Sequence, residues 1–122
     1  MRPIKFRGIT TSTPHRWVYG DLIHSDKTGA CCILPTEKDW MTEYEYVIPE
    51  TIGQFTGLYD NNWKEVWEGD KARNKANRIV TIVFMDGAFL IKFSGGHVDV
   101  LCDYIHELTV IGTIHDKLLK GG

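Results

Sequence analysis

The chain has 122 residues, of which 43% are apolar and 25% are charged, a balance that is typical of globular proteins and excludes global disorder. Its 14 basic and 16 acidic side chains give a formal net charge of -2. This charge excludes a global positive field that would hold a polyanion or an anionic membrane. The length indicates one domain, or a small barrel with an appended lobe.

The N-terminal residues interleave charged and apolar side chains and lack the unbroken apolar stretch of a secretory signal. The longest apolar run, residues 79–85, has the length of a strand and falls far short of the roughly 20 residues that cross a bilayer. These features predict a cytoplasmic protein that makes no contact with membranes.

Cysteine and histidine usage does not follow a metal-site or disulfide pattern. The three cysteines are Cys31, Cys32 and Cys102, an odd number with two neighbours that would point to opposite faces of a strand. The five histidines are scattered without a ligand spacing: His15, His24, His97, His106 and His115. We expect free structural thiols, no bound metal and no cofactor.

The first predicted strand covers residues 4–7, where apolar residues alternate with Lys5 and Arg7 on a polar outer face. Residues 10–16 are polar and indicate a loop. Residues 17–24 are aromatic and β-branched, which predicts a strand with a bulge or bend where Gly-Asp interrupts the pattern.

Turn residues at 25–29 precede a short partner strand at 30–34. A further strand is predicted at 44–48 and ends at a proline. Because proline suits the first position of a helix, Pro49–Thr51 is predicted to form one helical turn.

The second half contains more β structure. Strands are predicted at residues 54–59, 64–67, 78–84, 88–93, 98–102 and 108–114. Residues 71–77 are polar and mostly basic and are assigned to a loop, and residues 103–107 to one helical turn. The two-residue period predicts that Phe89, Ile91, Val110 and Ile114 are buried. Many short strands without a long amphipathic helix predict a barrel or a sandwich.

Two motifs in the centre of the chain resemble the YopX family, which is carried by phages and mobile elements. The first is PETIGQFTGL at residues 49–58 and the second is KEVWEGD at residues 64–70, against a family pattern of roughly PETVGQYTGL and KEIYEGD. RPIKFR at residues 2–7, YGDLI at 19–23 and VIGTI at 110–114 match the family's opening and closing patterns. Trp63 replaces the usual turn glycine, so the turn must differ or leave the tryptophan exposed.

The resemblance implies a mainly β fold with a small SH3-type barrel at residues 49–122, an N-terminal hairpin lobe at residues 1–48, and a phage or prophage origin. It implies no established activity. The residues themselves favour a structural role for the central motif: Gly53, Gly57 and Gly69 permit bends or close backbone approach, and Asp70 is suited to bind backbone N–H groups near its turn.

No sequence pattern supports catalysis. The serines lie in polar loops without a nucleophile motif, and a Cys102–His106 pair would meet only on a helix. Glu43 and Glu45 would share a strand face, and such a face is usually solvated. We expect a protein that is not an enzyme.

One basic stretch stands out. Lys71, Arg73, Lys75 and Arg78 fall within eight residues that contain no acid, directly after a hairpin that carries Trp63 and Lys64. Cations beside aromatic rings are the elements that single-stranded nucleic acid binding requires, whereas a solvated loop beside packing aromatics needs no ligand. These six residues form the candidate binding surface.

Two functions remain open at this point. The first is an interaction or assembly module that is non-enzymatic, self-associates as a homo-oligomer through the strands at residues 4–7 and 44–48, and binds a host or phage protein. The alternative is a nucleic-acid-binding accessory protein that uses the basic loop at residues 71–78.

Overall fold

The computed structural model of the protein describes residues 3–36 and 43–120. These residues are mainly β and form two antiparallel sheets, which confirms the predicted fold class at this level. The chain forms two units: one contains Pro3–Gln54 with the C-terminal segment from Lys117, and the other contains Phe55–Asp116. The division at residues 48 and 49 stays a prediction.

The first unit contains four strands and the start of a fifth: β1 (Phe6–Ile9), β2 (Trp17–His24), β3 (Cys31–Pro35), β4 (Glu45–Val47) and the first two residues of β5 (Gly53–Tyr59). They are antiparallel neighbours in the order β4-β3-β2-β1-β5. Pro49–Thr51 forms the predicted helical turn, of the 3-10 type. The core of this unit is made of Val18, Cys31, Ile33 and Val47.

Strand β2 lacks the bulge that the sequence predicts at its Gly-Asp pair. Its register is continuous against both β1 and β3. A Cβ atom on Gly20 would overlap the backbone carbonyl oxygen of Leu34 in β3. The glycine therefore permits a close approach of β2 and β3 without a bulge.

The polar outer face predicted for the first strand is wrong at Arg7. This residue is 5% exposed, and its guanidinium carbon lies 4.3 Å from the centre of the Trp17 ring. Ile4 is 57% exposed and precedes β1. Strand β1 pairs on both sides, and Ile9, which projects from the same side of β1 as Arg7, is fully buried. This side of the strand is therefore covered, and the Arg7 guanidinium stacks on the Trp17 ring, whose face attracts a cation.

The two strands that were expected to leave open edges are hydrogen-bonded on both sides. Strand β1 lies between β2 and β5. Strand β4 pairs with β3, while on its other side Val47 bridges Thr10 and the N–H of Ile48 donates to the carbonyl of Ile9 (2.8 Å). These edges therefore do not support self-association, and homo-oligomerisation stays a prediction.

In the second unit, β5 pairs with β6 (Glu65–Trp67). The second sheet has the order β10-β9-β8-β7-β11 and consists of β7 (Asp70–Arg73), β8 (Ile79–Met85), β9 (Ala88–Phe93), β10 (Val98–Val100) and β11 (Thr109–Thr113). The helical segments are α1 (Leu101–Tyr104), a 3-10 turn (Ile105–Glu107) and α2 (Asp116–Lys120). Within the described residues, every helix is too short to span a bilayer.

The hairpin of β8 and β9 confirms the prediction most closely. Its two turn residues, Asp86 and Gly87, adopt φ values of +52° and +80°, as mirror-image hairpin turns require. Ile91 is buried, whereas Phe89 and Phe93 are partly buried and pack against the same core. The predicted face of β9 is therefore the one that faces the core.

The prediction for the last strand holds at its start and fails at its end. Leu108 and Val110 are buried, but Ile114 is 50% exposed. The pairing of β11 with β7 shifts register between Val110 and Gly112, so that Ile111 is an extra residue. Such a bulge reverses which of the following side chains face the core.

The described strands do not close into a barrel, so the closure predicted for residues 49–122 is wrong and the SH3-type detail is not confirmed. After Val100 the chain enters α1 instead of continuing as the predicted strand. Leu101 and Ile105 from this helical segment join the buried core beside Ile82 and Ile91. Helical side chains thus provide the burial that closing strands would otherwise provide.

Candidate docking face on the five-stranded sheet

The basic stretch at residues 71–78 is not the loop that the sequence predicts. Lys71, Ala72 and Arg73 belong to β7, where the alanine is fully buried and both cations are exposed. The connection to β8 is a tight turn in which the N–H of Asn74 donates to the carbonyl of Arg78 (2.9 Å). This connection has the usual length of a hairpin loop, so its length does not indicate a functional loop.

The register of the sheet places Lys71 and Arg73 on the side opposite the core. Lys71 pairs with Thr81, Thr81 pairs with Lys92, and Arg73 pairs with Ile79. Residues that are directly opposite on antiparallel strands project from the same side of the sheet. We call this side, on which all three cations are exposed, the outer face.

The rest of the outer face is apolar or carries hydroxyl groups. Its further members follow from the same register: Val83, Met85, Ala88, Leu90, Val98, Val100 and Thr109. Within the described sheet, none of the outer-face positions is acidic. The outer face therefore combines exposed apolar surface with charge of a single sign.

An open groove of about 400 Å³ lies on the outer face. It is lined by Ile79, Thr81, Val83, Lys92, Phe93 and Ser94. Ile79, the first residue of β8, pairs with Arg73 and is 41% exposed. The groove offers a mostly apolar surface with one ammonium group at its side, which suits a ligand that carries both apolar and anionic groups.

Two cations of the stretch at residues 71–78 lie elsewhere. Arg78 stands two residues before the buried Val80, on the inner side by alternation, and its guanidinium carbon lies 4.7 Å from the centre of the Phe93 ring. Lys75 is exposed in the turn between β7 and β8. The structure therefore divides the four cations of this stretch between two sides of the sheet and a turn.

Lys92 is a candidate site residue that the sequence interpretation missed. It lies on β9 between Ile91 and Phe93, both of which pack toward the core. The same alternation that identified the inward residues places Lys92 outward. Lys92 pairs with Thr81, which pairs with Lys71. To place Lys92 in this row, one must know the register of three strands, which sequence alone does not determine.

Trp63 and Lys64 lie in the turn between β5 and β6. Trp63 is 84% exposed, as expected if the turn leaves it in solvent, and has a φ of +61°. The buried carboxylate of Asp60 accepts three backbone N–H groups: those of Asn62 (2.8 Å) and Lys64 (2.9 Å) at Oδ1, and that of Val110 (2.9 Å) at Oδ2. This carboxylate fixes the turn against β11.

Asn61 links the same turn to the outer face. Its N–H donates to the carbonyl of Leu108 (3.0 Å), and its Oδ1 accepts a hydrogen bond from Thr109 Oγ1 (2.9 Å). Thr109 in turn pairs with Arg73 across β11 and β7. The turn that carries Trp63 is therefore placed beside the β11 edge of the outer face.

The second family motif has a structural explanation. Asp70 is buried, and its Oδ2 accepts the backbone N–H of Trp67 (2.8 Å). Gly69 has a φ of +92°, donates its N–H to the carbonyl of Ile82 and accepts the N–H of Ile114. These contacts support the interpretation of the motif as a folding element.

The other groups that were considered for chemistry are dispersed. Cys31, Cys32 and Cys102 are free thiols. Among the described residues, no three His, Cys, Asp or Glu side chains are grouped as metal ligands. Cys102 lies on α1 with its Sγ 3.8 Å from Oδ1 of Asp103, and His106 lies in the following 3-10 turn.

By its fold and this surface, the chain is a small, mainly β protein with an exposed sheet face that is largely apolar and carries only basic charged side chains. The family model described as YopX protein matches residues 5–120, nearly the whole chain. The protein therefore belongs to the YopX family, which confirms the resemblance of its motifs. No curated protein matches the chain.

Proposed function

We propose that the protein is a non-enzymatic interaction module that binds an acidic partner protein on the outer face. One observation carries this proposal: the outer face is an exposed, largely apolar sheet surface on which every charged side chain is basic. Apolar surface that is left exposed and bordered by polar groups marks interaction sites in soluble proteins.

The single sign of the charge supports an acidic partner. Lys71, Arg73 and Lys92 concentrate three positive charges on one face of a chain whose net charge is -2. A partner segment that presents both carboxylates and apolar side chains on one side would match these cations and also fill the groove beside Ile79. Like charges would oppose the pairing of this face with its copy, so self-association requires a different surface.

The roles of the acidic residues support a binding function without catalysis. Asp60 and Asp70 are the buried carboxylates of the described chain, and both accept backbone N–H groups that hold turns in place. The groove itself is lined by hydroxyl, ammonium and apolar groups. Its surface is thus suited to contact and charge pairing.

Single-stranded nucleic acid is the second candidate partner, favoured by the cations and by the exposed Trp63, whose turn is bonded to Thr109 opposite Arg73. Proteins that bind single strands combine phosphate contacts with aromatic rings on which bases stack. The outer face, however, carries Ile79, Val83 and Leu90 where such a platform would carry rings. This aliphatic surface favours the protein partner.

Binding of a synthetic acidic peptide tests the proposal. The probe is a fluorescein-labelled Glu-Leu peptide of repeating Glu-Glu-Leu-Leu, so that each side of the extended chain carries both residue types. Its length of about twelve residues exceeds the roughly six extended residues that cross five strands at about 4.8 Å spacing. We expect saturable binding, measured by fluorescence anisotropy at low salt. The triple variant K71E/R73E/K92E should weaken this binding by at least about tenfold, because it converts three attractive pairs into repulsive ones.

The matched control is K27E/K117E/K120E, which changes the net charge equally at exposed positions of the first unit. Equal weakening by both triple variants would show a global charge effect and contradict the proposal. A Lys-Leu peptide should not bind. The protein could instead bind oligothymidylate more tightly than the acidic peptide and lose that binding in K71E/R73E/K92E. The partner would then be a nucleic acid and not an acidic protein.

A further inference from the structure

Trp63 stands at a position where folding alone does not favour a tryptophan. Its backbone adopts the left-handed conformation, which residues other than glycine, asparagine and aspartate seldom adopt. Its side chain is 84% exposed, so the folded chain gains almost no burial from the largest apolar residue available. Folding alone therefore gives no reason for a tryptophan here.

The turn around Trp63 is nevertheless firmly built. The Asp60 carboxylate binds three backbone N–H groups, and Asn61 makes two further hydrogen bonds to Leu108 and Thr109. A flexible turn would let an exposed indole adopt many orientations. This one presents the indole from a fixed backbone beside the edge of the outer face, a form of preorganisation that lowers the entropy cost of binding.

We infer that Trp63 is a contact residue for the acidic partner segment and extends the outer face beyond β11. This inference rests on the proposed function. Tryptophan is among the residues that most often dominate the affinity of protein interfaces. Its apolar ring would cover an aliphatic side chain of the partner, and its indole N–H is a donor that suits a partner carboxylate.

The variant W63G tests the inference, because glycine relieves the left-handed backbone and removes the indole. We expect the melting temperature of W63G to stay equal to or rise above that of the unmodified protein. Affinity for the Glu-Leu peptide should fall by at least about tenfold, as for an interface anchor. The control Y104A removes an exposed aromatic side chain from α1 and should change the affinity less than about threefold.

Tryptophan fluorescence supplies a second readout. Peptide addition should shift the emission of the unmodified protein to shorter wavelength, and W63F should lose the part of the shift that Trp63 contributes. Peptide affinity of W63G within about threefold of the unmodified protein would overturn the inference.

The two proposals fail separately. If K71E/R73E/K92E loses the peptide while W63G keeps it, the inference about Trp63 fails and the docking face stands. If K71E/R73E/K92E keeps the peptide, the proposed function fails regardless of Trp63. If W63G weakens oligothymidylate binding and leaves peptide binding unchanged, Trp63 is a base-stacking residue and the inferred protein contact is wrong.

Discussion

The inner and outer sides of the five-stranded sheet differ in burial and in charge, although the same strands form both. Strand β7 alternates strictly: Asp70 and Ala72 are buried, whereas Lys71 and Arg73 are exposed. The inner side packs into a core with Ile82 and the helical segment, while the outer side keeps its apolar residues in contact with solvent. Adjacent residues of one strand therefore alternate between the buried core and the exposed face with a period of two.

The largest expected effect is on the inner side of this sheet. Ile82 is fully buried among core residues, so I82A should lower the free energy of unfolding by about 2–5 kcal/mol through lost burial and a cavity. The matched variant is I79A, in the same strand on the outer face, which should cost less than about 1 kcal/mol. Urea denaturation of both variants measures the difference.

Similar losses for I82A and I79A would show that the outer face is buried in the folded protein and is unavailable to a partner. That outcome would remove the distinction between the two sides. A small loss for I82A alone would instead mean that the inner core is loosely packed.

A smaller effect is expected at Asp60, which connects the folded core to the turn of Trp63. D60A leaves three backbone N–H groups without their acceptor and should cost about 2–4 kcal/mol of unfolding free energy, since each bond to a charged group contributes about 1.5–3 kcal/mol and water replaces part of it. It should also weaken peptide binding, because the backbone that presents the indole is no longer held.

The matched control for this prediction is D26A, which removes a fully solvated carboxylate from the turn between β2 and β3. We expect D26A to change stability by less than about 0.5 kcal/mol. If thermal and urea denaturation show the same small loss for D60A, Asp60 does not fix the turn, and the preorganisation of Trp63 must have another origin.

The sequence predicts elements well where local chemistry determines them. The β8–β9 hairpin follows from its Asp-Gly turn and long apolar alternation, and both the strands and their inward faces are confirmed. Strand β7 is harder to detect, because Ala72 is its only apolar residue and two cations flank it. A small side chain that is buried by its neighbours looks, in sequence, like part of a polar loop.

Features that depend on pairing between distant residues escape sequence reasoning. The bulge at Ile111 exposes Ile114, and nothing local distinguishes this strand from a regular one. Burial of Arg7 depends on strands that arrive on both sides and on the ring of Trp17. The candidate face likewise required Lys92, which lies 21 positions after Lys71 and reaches it only through Thr81.

Chemical-shift mapping tests the location of binding most directly. The Glu-Leu peptide is added to protein labelled with nitrogen-15, and the shift of every backbone amide is followed to saturation. The largest changes should occur in β7, β8 and β9 and in the turn at residues 60–64, with little change in the first unit. Changes concentrated in β2, β3 and β4, or spread evenly over the chain, would contradict a docking site on the outer face.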